Sequence, residues 1–152
     1  MVLQRGSGRW GKMRIAIYTD GGARGNPGPA ASAFIAVAER EGKDRIIRKY
    51  GEYIGKATNN LAEYRALIMA LEWASSRGFR ELDFHSDSEL MVKQLRGEYR
   101  VRSPGLRKLH SEAMELLRGV KWRAFHHTRE NDLISVCDMM VNRILDSRNR
   151  LK

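Results

Sequence analysis

The sequence predicts a mixed α/β domain: a five-stranded mixed sheet with flanking helices, in the order βββαβααβα. Three observations predict it. Three β-patterned runs with short connections open the chain after residue 12, which suggests antiparallel neighbours. Apolar residues then recur at helical spacing from Asn60 onward. From there strand and helix patterns alternate, which makes the sheet mixed and packs helices on it.

Residues 13–20 read as the first strand and Ala30–Ala38, small and apolar, as the second. The charged turn Glu39–Asp44 leads into a third, Arg45–Ile54. Asn60–Ser76 is a helix with Leu61, Leu67, Ile68 and Leu71 on its apolar face, stopped by Gly78. Glu81–Ser86 is a short strand, and Ser88–Arg96 is helical up to Gly97. Ser103-Pro104 supplies an N-cap with proline at the first helical position, opening a helix to about Arg118. Val120–His126 is the fifth strand and Ser135–Ser147 the last helix.

A length of 152 residues suits one domain with a real core. No apolar run approaches the ~18–20 residues of a membrane span. No secretory signal is visible, and the single cysteine, Cys137, fits a reducing compartment, so a cytoplasmic protein is expected. Net charge is +10, which favours polyanionic partners, nucleic acid above all. Residues 1–12 hold Arg5, Arg9 and Lys12 but no acid, and read as a flexible basic tail or an appended remnant. The folded domain is expected over residues 13–152.

The chemistry concentrates in acids placed where elements begin or end. Asp20 closes the first strand and is followed by Gly21, Gly22, Gly25, Asn26 and Gly28, a run whose backbone can approach a ligand closely. A tight hairpin turn explains the same residues. Glu63 lies in the opening turns of the first long helix, after Thr58-Asn59-Asn60. Asp87 lies where the fourth strand gives way to a helix, and Asp138 in the first turn of the last helix. Ligands gather beyond the carboxyl ends of strands in α/β sheets, so parallel first and fourth strands would bring Asp20 and Asp87 together. Each acid also has a local explanation. Glu63 and Asp138 suit a helix N-terminus, Ser135-x-x-Asp138 fits a capping box, and Asp87 suits a cap.

Five pieces together resemble ribonuclease H type 1, in its compact archaeal and bacterial branch. They are Tyr18–Pro29 (YTDGGARGNPGP), Thr58–Leu71 (TNNLAEYRALIMAL), His85–Gln94 (HSDSELMVKQ), Leu95–Leu117 (LRGEYRVRSPGLRKLHSEAMELL) and Asp138–Asp146 (DMMVNRILD). The resemblance covers nearly all of residues 13–147. It implies a ribonuclease H-like fold, and hydrolysis of the RNA strand of RNA–DNA hybrids to 5′-phosphate and 3′-hydroxyl ends. It implies four acidic metal ligands, carried over to Asp20, Glu63, Asp87 and Asp138, and two ions, Mg²⁺ or Mn²⁺. Carboxylates suit such hard cations, and two of them roughly 3.5–4 Å apart can clamp the attacking and leaving oxygens of an in-line displacement. It further implies substrate contacts at Asn26, Thr58, Asn59, Asn60 and Gln94, with Gly21 and Gly22 in the loop that lies against the hybrid. A monomer is expected.

Two departures stand out. The segment Gly97–Pro104 is too short for the basic tryptophan-bearing helix that many family members insert there, so grip on the nucleic acid must come from elsewhere or be weaker. Arg100, Arg102, Arg107 and Lys108 are the densest basic group of the core, and a solvated face explains them equally well. The segment His126–Asn131 resembles the family's histidine loop, where a mobile histidine assists proton transfer or product release. His127 is the preferred residue for that role, with His126 the alternative. Cys137, beside the last acid, is expected to be a small buried residue.

Overall fold

The computed structural model describes residues 13–40 and 42–150. The expectation of a tail at residues 1–12 lies outside them. The elements are β1 (Arg14–Ala23), β2 (Gly28–Arg40), β3 (Lys43–Ala57), α1 (Asn59–Ser76), β4 (Glu81–Ser86), α2 (Glu89–Leu95), α3 (Pro104–Leu116), β5 (Lys121–His126) and α4 (Asp132–Arg150). The sheet runs β3-β2-β1-β4-β5. β1, β2 and β3 pair antiparallel, whereas β4 lies parallel to both β1 and β5. The expected order and the mixed sheet are both present.

Helices cover both faces, which is why β2 reads as an almost unbroken apolar run. Phe34, Ala36 and Ala38 face the larger core with Leu67, Ile68 and Leu71 of α1. Ala33, Ile35 and Val37 face the smaller one with Val141 and Leu145 of α4. The alanines let α1 sit close to the sheet, and α1 is buried around most of its circumference. Leu67 is fully buried, and cutting it to alanine would cost about 2–5 kcal/mol.

Several boundaries differ from the sequence reading. β1 continues three residues past Asp20, so Gly21 and Gly22 belong to the strand. The turn itself spans 24–28 and is closed by the Arg24 amide donating to the Pro29 carbonyl at 2.8 Å. The hairpin turn therefore forms at 24–28 and not at Asp20-Gly21, which pair within the β1–β2 ladder, so Asp20 is not the acceptor of a tight turn. β3 is longer than expected and carries two register shifts, opposite Ala30/Ala31 and Ala36/Val37. The first lies beside Gly55, whose φ of 83° a bulge tolerates.

The last helix starts at Asp132, not Ser135, because the Asn131 side chain accepts from the amides of Leu133 and Ile134. Asp138 is thus in the second turn, and the capping-box reading of Ser135 and Asp138 fails. Ser88, not Asp87, caps α2 by accepting from the Met91 amide. Among the described residues no helix is long and apolar enough to cross a membrane.

Candidate active site

The parallel ladder between β1 and β4 ends at the pair Thr19 and Ser86. The next residues along the chain are Asp20, still in β1, and Asp87, just past the end of β4, so both acids emerge together at the carboxyl edge. Glu63 joins them from α1 by a close backbone approach. A Cβ on Gly21 would fall on the Ala62 carbonyl, so only glycine lets the strand pass the helix there. The Ser32 hydroxyl donates to that same carbonyl at 2.7 Å and fixes the opening turn of α1 to β2. Thr58 completes the anchoring as the N-cap, its Oγ1 accepting from the Leu61 amide.

One carboxylate oxygen from each of Asp20, Glu63 and Asp87 lies within 4.8 Å of the others. Asp20 Oδ1, Glu63 Oε1 and Asp87 Oδ1 are buried and have no hydrogen-bond partner among the described residues. Three unpartnered carboxylate oxygens in one buried spot are unfavourable as anions unless a cation meets them or protons neutralise them. Hard oxygen donors with free valence are what Mg²⁺ or Mn²⁺ binds, and the cluster is compatible with divalent metal. Burial, with the charges of Asp87 and Asp138 behind it, pushes Asp20 up to about 8. Burial and the charges of Asp20 and Asp87 raise Glu63 well above the ordinary carboxylate range.

Asp138 approaches from α4, its side chain 31% exposed and its Oδ2 accepting from Asn142 Nδ2 at 3.3 Å. It lies outside the tight cluster, yet its charge acts on Asp20. A residue the sequence reading gave no role, Arg129, spans the gap. Its Nε donates to Asp87 Oδ2 at 2.8 Å, and its Nη1 lies 3.6 Å from Asp138 Oδ1. The only sequence signal was a cation in the loop ahead of the last acid.

His127 sits on the neighbouring strand end, its amide donating to the Ser86 carbonyl at 2.9 Å. Its Nε2 shares a 2.7 Å hydrogen bond with Nδ1 of His85. His126 is exposed and ends β5 opposite Ser86. Burial holds the His85 imidazole down at about 4. Cys137 is fully buried, as expected, and its thiol donates to the Tyr18 carbonyl at 3.4 Å. Burial raises its pKa first, followed by the charges of Asp20 and Glu63.

The amides beside the acids are cross-linked. Asn59 Oδ1 accepts from the Ala23 amide at 2.8 Å, and Asn26 Oδ1 accepts from the Asn59 amide at 3.0 Å. The glycine turn is thereby tied to the start of α1, while Asn26, Asn59 and Asn60 stay exposed. Gln94 differs. It is buried, its Oε1 accepts from the Tyr64 hydroxyl at 2.7 Å, and its Nε2 donates to the Arg100 carbonyl at 3.1 Å. Both ends of this amide face the protein. It backs an open groove of about 620 Å³ that Tyr99, Arg100, Arg102 and Ser103 also line.

Comparison with known proteins places the chain in the ribonuclease H family. Residues 18–143 match the family model described as reverse transcriptase-like. The ribonuclease HI of Halobacterium salinarum is 42% identical over 88% of this chain and 65% of its own length. A bifunctional protein of Mycobacterium tuberculosis, Rv2228c, is 41% identical over 68% of this chain and 28% of its own length. The chain thus spans less than two thirds of these curated relatives. Two crystal structures match over nearly their full length. RNase H1 from the same Halobacterium superposes with a TM-score of 0.81 at 41% identity, covering 88% of this chain and 98% of that one. LC11-RNase H1, solved in complex with an RNA/DNA hybrid, superposes with a TM-score of 0.79 at 36% identity, with the same coverage.

Proposed function

We propose, for a chain that belongs to the ribonuclease H family, that it hydrolyses the RNA strand of RNA–DNA hybrids to 5′-phosphate and 3′-hydroxyl ends. The observation that carries this is the buried trio Asp20, Glu63 and Asp87, three facing carboxylates with unpartnered oxygens at the carboxyl edge of parallel strands. The similar structure solved with an RNA/DNA hybrid supports the choice of substrate.

Asp20, Glu63, Asp87 and Asp138 would hold two divalent ions, Mg²⁺ or Mn²⁺. When bound, divalent metal there supplies charge neutralisation at the scissile phosphate and activation of the attacking water. The rest belongs to the chain. Asn26, Asn59 and Asn60 present amides to the 2′-hydroxyls and groove edges that distinguish RNA from DNA. The backbone of Gly21 and Gly22 keeps β1 close to that strand, and Thr58 meets a phosphate of the DNA strand. Gln94 acts through the Arg100 backbone it holds. Arg100 and Arg102, exposed along the groove, supply backbone attraction. His127 moves a proton at the leaving oxygen or aids product departure. The protein acts as a cytoplasmic monomer.

The test is cleavage of hybrid labelled on each strand in turn, beside duplex DNA and duplex RNA, with and without Mg²⁺ or Mn²⁺. Metal-dependent cutting confined to the RNA strand is expected. Equal cutting of the DNA strand contradicts the proposal.

A further inference from the structure

The histidine of the loop is not free-standing. On β1, β4 and β5 the residues Tyr18, His85 and Phe125 stand in register across three strands. Their rings stack, His85 lying 4.5 Å from Tyr18 at an interplanar angle of 13° and 5.3 Å from Phe125 at 18°. Clamped between two aromatic faces, the His85 ring is held in one plane, with its Nδ1 2.7 Å from Nε2 of His127. The two imidazoles are 4.8 Å apart at 39°.

We propose that His85 is a positioning residue that engages Nε2 of His127, holds its ring in the substrate-free protein, and leaves Nδ1 as the nitrogen free to meet substrate. The inference rests on the reading of His127 as the functional histidine of the loop. The physical reason is orientation. His127 follows the last residue of β5 and lies outside regular structure, so its backbone alone leaves the ring free to rotate. A hydrogen bond from a partner that cannot itself turn removes that freedom, as a carboxylate does for histidines in other sites. Near-attack geometry is sensitive to such placement. The Ser86 carbonyl holds the His127 amide as well, so ring and backbone are both tied to β4.

His85→Phe keeps a ring in the stack and removes the hydrogen bond. His85→Asn keeps a polar nitrogen near the Nδ1 position and gives up the stack. The expected result for His85→Phe is a fall in kcat of about tenfold, a fraction of the ~10²–10⁴ that an acid–base group supplies, with KM unchanged. Melting temperature should hold, His85→Asn should recover part of kcat, and His85→Phe should change nothing further in a His127→Ala background. ¹⁵N spectra of the histidine rings give a readout independent of cleavage. His127 should report one fixed tautomer in the native protein and averaging in His85→Phe. Full kcat in His85→Phe with a reduced kcat in His127→Ala overturns the positioning role and leaves the hydrolase reading standing. Unchanged His127 ring signals in His85→Phe overturn it too, even should the native protein prove not to cut hybrids.

Discussion

Arg129 donates from Nε to Asp87 Oδ2 at 2.8 Å, a guanidinium set against one of the three clustered acids. Its Nη1 also lies near Asp138. In the metal-free protein this cation offsets part of the mutual repulsion of the carboxylates. Arg129→Gln should therefore lower the metal-free melting temperature slightly. The effect is under ~1 kcal/mol, because the guanidinium is 67% exposed and solvent screens it. Saturating Mg²⁺ should narrow the difference between variant and native protein. Thermal melts with EDTA and with Mg²⁺ check this; an unchanged gap between the two conditions contradicts it.

The buried acids make stability depend on pH in a definite direction. Asp20 is raised to about 8 and Glu63 is also raised, so the folded protein holds protons that the unfolded chain releases. The stability from holding those protons is fully present below the ordinary carboxylate range, near pH 4, and is lost as pH climbs through about 8. The metal-free melting temperature should fall across that window. Asp20→Asn should flatten the fall, and the stabilisation by Mg²⁺ should be larger at pH 8 than at pH 5. Melts across pH with and without chelator measure it.

Asn59 ties the glycine turn to α1 through Ala23, and Asn26 answers through the Asn59 amide. Asn59→Ala removes the acceptor for the Ala23 amide and should cost about 0.5–1.5 kcal/mol in a denaturant titration. It should also raise KM for hybrid more than it lowers kcat, because the variant no longer offers that amide to the RNA groove.

The groove beside Gln94 should grip phosphates. Replacing Arg100 and Arg102 together by alanine should weaken hybrid binding and flatten its salt dependence by roughly one unit of slope for each phosphate no longer neutralised. Cleavage at saturating hybrid should survive. Binding curves across salt concentrations decide it; an unchanged slope means a merely solvated face.

Much of this was legible in the chain because strand ends and helix starts are local. Asp20 and Asp87 follow recognisable strand runs, and Glu63 follows a capped helix start, so their convergence needed only one parallel pairing. Asp138 was placed a turn wrong because Ser135-x-x-Asp138 imitates a cap that Asn131 makes instead. The partners of the site were harder to see. His85 meets His127 across the register of β4 and β5, Arg129 folds back from a loop, and Gln94 turns inward to Tyr64. Each depends on a long-range side-chain pairing that no short sequence pattern encodes.

The central claim is that the Asp20, Glu63 and Asp87 cluster carries the hydrolysis, and Asp87→Asn tests it most directly. The change keeps volume and removes a charge, and the buried cluster it relaxes should leave melting temperature equal or higher. Hybrid cleavage in Mg²⁺ should fall to background while circular dichroism stays native. Near-normal turnover of folded Asp87→Asn in Mg²⁺ would contradict the account.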